Sequence, residues 1–298
     1  MKFNQLGKSD LVVSEIGFGC MSLSENYAKS AKILHRAFDL GINFFDTADL
    51  YQHGENEKIV GRALKDRRDK VIIASKVGNQ WRADGSGWDW NPTKPYILSS
   101  VHNTLKRLQT DYLDLYQLHG GTIEDPIDET IEAFEELKQK GLIRAYGISS
   151  IRPNVIREYV SKSNIVSAMS QYSLLDRRPE GTVLDLLQEN QISVVVRGAV
   201  AKGLLAGKPP GAYLNHSIEE VRKIQNKLLN FTQGIRMPGH IAIKFAQRHP
   251  AVATIALGAS SLEQLELNLG VVHRDALTER ELRVIDEWAV KGFYEAHK

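Results

Sequence analysis

Short apolar runs alternate with amphipathic segments along most of the chain. This pattern is typical of buried parallel strands separated by surface helices. The predicted strands cover residues 14–19, a run that ends at residue 46, and residues 71–75, 113–118, 143–148, 165–170, 192–196 and 252–257. The predicted helices cover residues 27–40, 56–66, 95–109, 127–140, 153–161, 181–190, 238–249 and 261–269. Eight strand–helix units in 298 residues predict an α/β protein with a closed (β/α)8 barrel, a TIM barrel, rather than an open sheet.

Further elements flank this repeat. Residues 2–6 and 11–13 alternate apolar and polar positions around a turn-forming cluster and predict an N-terminal β-hairpin. Residues 217–230 and 278–290 predict two extra helices, the second capped by Thr278. No composition shift marks a domain boundary, so residues 1–298 are expected to form a single barrel domain.

Composition and charge exclude several function classes. The chain is 42% hydrophobic and 25% charged with a net charge of +2, and no long run of one sign predicts nucleic-acid binding. The single cysteine, Cys20, fits a reducing compartment. The amino terminus has no apolar core of signal-peptide length, and no run approaches the roughly 18 apolar residues of a membrane span. We expect a cytoplasmic protein, a monomer or weak homo-oligomer, with no bound metal, since no HExxH motif occurs.

Three predicted strands end in side chains suited to catalysis. Asp46, Lys76 and His119 close the second, third and fourth strands, and Tyr51 follows five residues after the aspartate. The carboxyl ends of barrel strands meet at one mouth, where active sites of this fold lie. These four side chains are therefore expected to converge on one small molecule.

Reduction of a carbonyl group suits these residue types. Tyrosine has a reference pKa of about 10, and a neighbouring lysine cation is expected to lower it and ease proton transfer. Asp46 would hold the ammonium of Lys76, and His119 would donate a hydrogen bond to the carbonyl oxygen. Taken singly, each residue has an ordinary structural explanation, such as a helix cap or a core side chain. Their placement at successive strand ends favours a shared site.

A known family pattern is found in four stretches: Gly41 to Ala48 with Tyr51, Leu105 to His119, Gly141 to Ser149, and Gly258 to Asn268. In these stretches, and over essentially its whole length, the chain resembles the aldo-keto reductases. The resemblance implies a catalytic tetrad, with Tyr51 as the general acid and NAD(P)H as the hydride donor. The tetrad consists of Asp46, Tyr51, Lys76 and His119.

The resemblance also implies a dinucleotide extended across the barrel mouth. Ser149 and Gln171 would hold the carboxamide, glycines of residues 197–208 would let backbone N–H groups approach the pyrophosphate, and residues 258–268 would surround the adenosine. A flexible surface loop and an exposed helix face are the competing interpretations. The implied cofactor contacts are Gly19, Met21, Asp46, Ser149, Gln171, Arg197, Gly198, Val200, Lys202, Gly203, Leu205, Lys208, Gly258, Ser260, Ser261, Gln264 and Asn268.

Three positions depart from the family pattern. Ser150 stands where asparagine is usual, and Arg197 stands where many relatives carry an aromatic that stacks on the nicotinamide. Ser260 stands where NADP-preferring members carry a lysine or arginine that pairs with the 2′-phosphate. NADP(H) remains the favoured cofactor by resemblance, with NAD(H) as the alternative.

Residues 79–92 contain three tryptophans and are expected to form the loop after the third strand. Loops at this end of a barrel shape the substrate pocket, so Trp81 or Trp88 is expected to line it beside Tyr51 and His119. The expected partner is a small apolar or aromatic carbonyl compound. The competing interpretation is a loop held together by its own aromatic side chains.

Two other functions remain open at this stage. A nicotinamide-binding regulatory or sensor subunit could keep the fold with little turnover. A lyase- or isomerase-type barrel could form a Schiff base on Lys76, but that reaction needs a neutral lysine, and Asp46 would oppose neutrality.

Overall fold

The computed structural model describes residues 1–232, 234–289 and 291–297. Its strands are Phe3–Gln5 (β1), Val12–Ser14 (β2), Ile16–Gly19 (β3), Phe44–Asp46 (β4), Ile72–Val77 (β5), Asn79–Trp81 (β6), Trp88–Trp90 (β7), Leu113–Leu118 (β8), Ile143–Ser149 (β9), Ser167–Gln171 (β10), Ser193–Arg197 (β11) and Val252–Leu257 (β12). Strands β3, β4, β5, β8, β9, β10, β11 and β12 are parallel and close into one barrel in that order. The TIM-barrel prediction is confirmed.

The helices follow the predicted order with small shifts at their ends. They are Tyr27–Asp39 (α1), Glu55–Leu64 (α2), Lys94–Leu108 (α3), Ile127–Gln139 (α4), Pro153–Lys162 (α5), Val183–Glu189 (α6), Ile218–Thr232 (α7), Pro238–Ala246 (α8), Leu262–Leu269 (α9) and Glu279–Trp288 (α10). The two extra helices, α7 and α10, are present. Thr278 caps α10 in a reciprocal box with Glu281, and residue 290 of the predicted range lies outside the described residues.

The N-terminal hairpin closes the bottom of the barrel. Strands β1 and β2 pair antiparallel, and Leu6, Leu11 and Val13 pack on side chains inside the barrel. Gly7, in the turn, donates its N–H to Ser193 and has a φ of +57°. A β-carbon at this glycine would lie 2.2 Å from the backbone oxygen of Val166, the residue before β10, so only glycine fits. With the hairpin at the bottom, the large cavity of the barrel opens at its carboxyl end.

The third strand of the barrel, β5, is followed by a two-stranded ribbon, where the sequence predicted a loop. Strands β6 and β7 pair antiparallel, with Trp81 opposite Trp88 and Asn79 opposite Trp90. Paired side chains of a ribbon lie on the same face. The three tryptophans therefore share one face of the ribbon, which stands beside the barrel mouth.

None of the described helices combines the length and apolar character that a membrane crossing requires. In the same ranges, the side chains of histidine, cysteine, aspartate and glutamate form no group of three arranged to hold a metal ion.

Candidate active site

A cavity of about 910 Å³ opens at the carboxyl end of the barrel. This volume is at the upper end of the range for ligand pockets. All four side chains of the expected tetrad line it, together with most of the expected cofactor contacts. The barrel alone explains three of them, because β4, β5 and β8 are neighbours and deliver Asp46, Lys76 and His119 to the same edge.

Lys76 is the centre of the polar cluster. Its Nζ atom donates to Asp46 Oδ2 at 2.8 Å, to the main-chain oxygen of Thr47 at 2.7 Å and to the hydroxyl of Tyr51 at 3.3 Å. An ammonium has three donors, so all are used. Burial disfavours the charge, but Asp46 and Tyr51 raise the pKa of Lys76 above its usual value. The lysine is therefore held as a cation, and its position is fixed.

Asp46 is almost fully buried and has a second contact. Its Oδ1 accepts a long hydrogen bond of 3.5 Å from the side-chain amide of Gln117, a residue of β8 that the sequence did not single out. Burial raises the pKa of Asp46, whereas Lys76 opposes that shift. The 2.8 Å contact keeps the pair in its charged form.

Tyr51 corrects one sequence-based expectation. The lysine does act to lower the pKa of this phenol, as expected, but burial outweighs it and the nearby Asp46 adds to the burial effect. The net direction in this cavity is a raised pKa. Tyr51 is therefore protonated over the whole neutral range, which is the form that an acid needs.

His119 faces Tyr51 across the cavity, with their ring centroids 6.0 Å apart and the rings nearly perpendicular. Burial, followed by the cations Lys76 and Arg197, lowers the pKa of His119 to about 3. The imidazole is neutral at physiological pH. Its Nδ1 atom is buried with no hydrogen-bond partner among the described residues. A neutral ring can donate one hydrogen bond to a bound oxygen without carrying charge.

A strained turn fixes the backbone next to Tyr51. Gln52 and His53 have φ values of 51° and 52°, and Gly54 follows at 86°. The left-handed region costs a non-glycine residue about 1–2 kcal/mol. The side chain of Gln52 holds the turn, since it donates to the oxygen of Leu23 and accepts from Asn56.

The cofactor side of the cavity is lined by most of the residues that the resemblance implied. Gln171 is already engaged: its amide nitrogen donates to Asp176 and to the hydroxyl of Tyr213, and its oxygen accepts from Arg197 at 2.7 Å. The expected contacts that line the cavity are Gly19, Met21, Asp46, Ser149, Gln171, Arg197, Gly198, Val200, Lys202, Gly203, Lys208, Gly258, Gln264 and Asn268.

Three expected cofactor contacts lie outside the cavity wall. Leu205 is 1% exposed and belongs to the hydrophobic core. Ser260 donates its N–H to the side chain of Gln264 at 2.9 Å, and Ser261 caps α9 by accepting from the N–H of the same glutamine. These two serines build the end of α9, while Gln264 faces the cavity.

The three tryptophans of the ribbon differ in whether they line the cavity. Trp88 lines the cavity, but Trp81 does not; it stacks on His53, with ring centroids 3.7 Å apart. Trp90 lines the cavity as well, and its indole N–H donates to Asp125. The sequence shows three tryptophans but not the ribbon register, so it cannot indicate which of them face the mouth.

Other lining residues carry no sequence signal that we recognised. Tyr213 lies in the long segment before α7 and reaches back to Gln171. Arg152 precedes α5 and also lines the cavity. Only the three-dimensional packing brings these two side chains to the barrel mouth.

Comparison with known proteins gives a consistent family. Residues 15–289 match the model of the aldo/keto reductase family. The chain is 51% identical to the uncharacterized oxidoreductase YqkF of Bacillus subtilis (100% of both chains) and 30% identical to the NADH-specific methylglyoxal reductase of Escherichia coli (95% of this chain, 98% of that protein). The solved holo form of aldo-keto reductase AKR11C1 from Bacillus halodurans is 53% identical, with a TM-score of 0.96 over 100% of this chain and 99% of that one. The chain therefore belongs to the aldo/keto reductase family.

Proposed function

We propose that this protein reduces aldehydes or ketones to alcohols, using NAD(P)H, with Tyr51 as the proton donor. The observation that carries the proposal is the buried contact of Lys76 with both Asp46 and Tyr51 in a cavity that His119 also lines. The cofactor supplies a hydride to the carbonyl carbon when it is bound. The chain itself must then orient the carbonyl oxygen and give it a proton.

The side chains suit that proton transfer. His119, neutral at working pH, would donate a hydrogen bond to the carbonyl oxygen and stabilise its growing negative charge. The Tyr51 hydroxyl would then pass its proton to that oxygen. A raised phenol pKa does not prevent this step, because an alkoxide is far more basic than a phenolate. Lys76, held by Asp46, would stabilise the phenolate that remains.

The cavity suits a dinucleotide. Lys202 and Lys208 line it on either side of Gly203, a residue with a φ of 95°. Such a loop can offer backbone N–H groups and two cations to phosphates. Gln264 and Asn268, on helix α9, line the same cavity, and Asn268 is positioned by its hydrogen bond to the oxygen of Gly258. We propose NADP(H) as the favoured cofactor, with NAD(H) also accepted because Ser260 provides no charge for the 2′-phosphate.

Lyase chemistry through Lys76 is disfavoured. A Schiff base requires a neutral amine, but the pKa of Lys76 is raised by its partners and all three of its donors are occupied.

The test is a pair of titrations followed by turnover. Binding of NADPH and NADH would be measured side by side by quenching of protein fluorescence, and oxidation of each would then be followed with 4-nitrobenzaldehyde. We expect tight binding of NADPH, weaker binding of NADH, and aldehyde-dependent oxidation of both. Binding without oxidation across a panel of aldehydes would contradict the proposed reductase and favour a sensor.

A further inference from the structure

The side chains that line the cavity carry more positive than negative charge. One is a carboxylate, Asp46, and it is paired with Lys76. The remaining charged side chains among the described lining residues are all cations. They are Arg152, Arg197, Lys202 and Lys208. The cavity therefore offers more positive charge than its own residues neutralise.

Three of these cations belong to the cofactor side. Arg197 is hydrogen-bonded to Gln171, and Lys202 and Lys208 flank the loop that suits the phosphates. Arg152 is different, because it follows β9 and its guanidinium contacts Gly121, in the segment that follows β8. Trp88 and Trp90 line the same cavity, and the ring of Trp90 packs against Gly120, the residue before Gly121. This is the side on which a carbonyl substrate would enter.

The position of Arg152 is fixed relative to His119. Its guanidinium donates to the main-chain oxygen of Gly121 at 2.5 Å, which ties the segment after β9 to the segment after β8. Gly121 is two residues after His119, a span of at most about 7 Å. The contact uses one of five N–H donors of the guanidinium, which leaves the others available to a ligand.

Asp125, an acid four residues after Gly121, is already engaged. Asp125 accepts from the indole of Trp90 and from both the backbone N–H and the hydroxyl of Thr122. It does not line the cavity, and no described carboxylate forms an ion pair with Arg152. Arg152 thus lines the cavity, and its guanidinium has no acidic partner among the described residues.

We propose that Arg152 is a specificity-determining residue that selects carbonyl substrates bearing an oxyanion group, a carboxylate or a phosphate, a few atoms from the carbonyl. The inference rests on the proposed reductase function and adds its substrate class. Arginine matches the planar or tetrahedral oxygens of such groups with two parallel hydrogen bonds. Trp88 and Trp90 would cover the apolar part of the substrate between the two polar ends.

Turnover of matched aldehydes tests the charge preference. 4-Carboxybenzaldehyde and its neutral methyl ester share one ring, and glyceraldehyde 3-phosphate and glyceraldehyde share one carbon chain. We expect Arg152→Gln to lower kcat/KM for the acid, relative to the ester, by about 10- to 100-fold, the loss of one charged hydrogen-bonded contact. Arg152→Gln should likewise lower kcat/KM for glyceraldehyde 3-phosphate relative to glyceraldehyde, if Arg152 binds phosphate as well as carboxylate. Arg152→Lys should keep part of the preference, and Arg157→Gln, an exposed arginine on α5 that does not line the cavity, should keep all of it.

A binding measurement separates this inference from the proposed function. 4-(Hydroxymethyl)benzoate, the alcohol expected from the acid, would be titrated against the fluorescence of the cavity tryptophans. Weaker binding in Arg152→Gln but not in Arg157→Gln supports the anion site, whether or not any aldehyde turns over. Equal binding in both variants, or an unchanged acid-to-ester ratio in active enzyme, overturns it. Absence of turnover by the wild-type protein on every aldehyde, charged or neutral, contradicts the reductase function alone.

Discussion

Burial decides the charge state of single residues around the site as strongly as neighbouring charges do. Asp49, three residues after Asp46, is 8% exposed, and its Oδ1 atom has no hydrogen-bond partner among the described residues. Burial, followed by the nearby carboxylate of Glu57, raises the pKa of Asp49 to about 8, although Arg107 and Lys76 oppose the shift. Asp49 is therefore mostly protonated at neutral pH. Its proton has a measurable consequence for folding.

Asp49→Asn should remove a loss of stability that the wild-type protein suffers as the pH rises. An unfolded aspartate has a pKa of about 3.9, so between pH about 4 and about 8 the unfolded chain releases a proton that the folded protein keeps. The contribution of Asp49 to the stability of the wild-type protein therefore falls as the pH rises through that range. Asparagine is neutral throughout. We expect the difference in unfolding free energy between the variant and the wild type to grow by about 2–4 kcal/mol in favour of asparagine from pH about 5 to about 8.

Urea unfolding followed by circular dichroism at the two pH values measures this difference. Asp69→Asn, at an exposed aspartate, is the control and should show no such growth. A constant difference between Asp49→Asn and the wild type would mean that the buried carboxyl does not hold its proton in the folded state.

The residues of the site differ in how far the sequence could place them. Asp46, Lys76 and His119 were accessible because each ends a strand, and strand ends of a barrel share one edge. The sequence could not show that the pKa of Tyr51 is raised, because charges can be read from a sequence but the degree of burial cannot. For the same reason the cavity-lining position of Arg152 emerged only from packing.

At the scale of elements, the ribbon of β6 and β7 supports the turn that carries Tyr51. Trp81 of β6 stacks on His53, which lies in the left-handed part of that turn. The sequence predicted a loop here because the strands are only three residues long and the segment between them is rich in turn-forming residues. The ribbon therefore contributes both to the pocket wall, through Trp88, and to the backbone next to the acid.

Trp81→Ala should lower kcat for aldehyde reduction about two- to tenfold with little change in cofactor binding. Loss of an aromatic contact of about 0.5–1.5 kcal/mol would let the strained turn relax and shift Tyr51. Trp81→Phe should restore most of the rate. Trp88→Ala, at the directly paired position, should instead raise KM for the carbonyl compound. A rise in KM without a fall in kcat for Trp81→Ala would refute the positioning role.

At the scale of the whole molecule, the C-terminal helix is attached to the barrel by a buried arginine. The side chain of Arg177 is 1% exposed and contacts Glu180, Asp286 of α10 and the main-chain oxygen of Ala289. Helix α10 was predictable from the Thr278 capping signal and its apolar spacing. The role of Arg177 in holding this helix could not be predicted, because the contact joins residues more than a hundred positions apart.

Arg177→Met should destabilise the protein by about 3–5 kcal/mol, because it leaves the mostly buried Glu180 with fewer partners and removes the link to α10. Thermal unfolding would show this as a clear fall in Tm. Arg222→Met, at an exposed arginine that pairs with Glu219 on the same helix, should change Tm very little. Similar shifts for the two variants would show that the buried arginine does not anchor the helix.

We propose that Tyr51, assisted by Lys76 and Asp46, gives the proton to the oxygen of the carbonyl group as it is reduced. The most direct measurement is the single-turnover rate of oxidation of bound NADPH by saturating 4-nitrobenzaldehyde, compared between the wild type and Tyr51→Phe, with NADPH affinity measured for both. We predict unchanged affinity and a rate that falls by about two to four orders of magnitude. An undiminished rate in Tyr51→Phe would contradict the account.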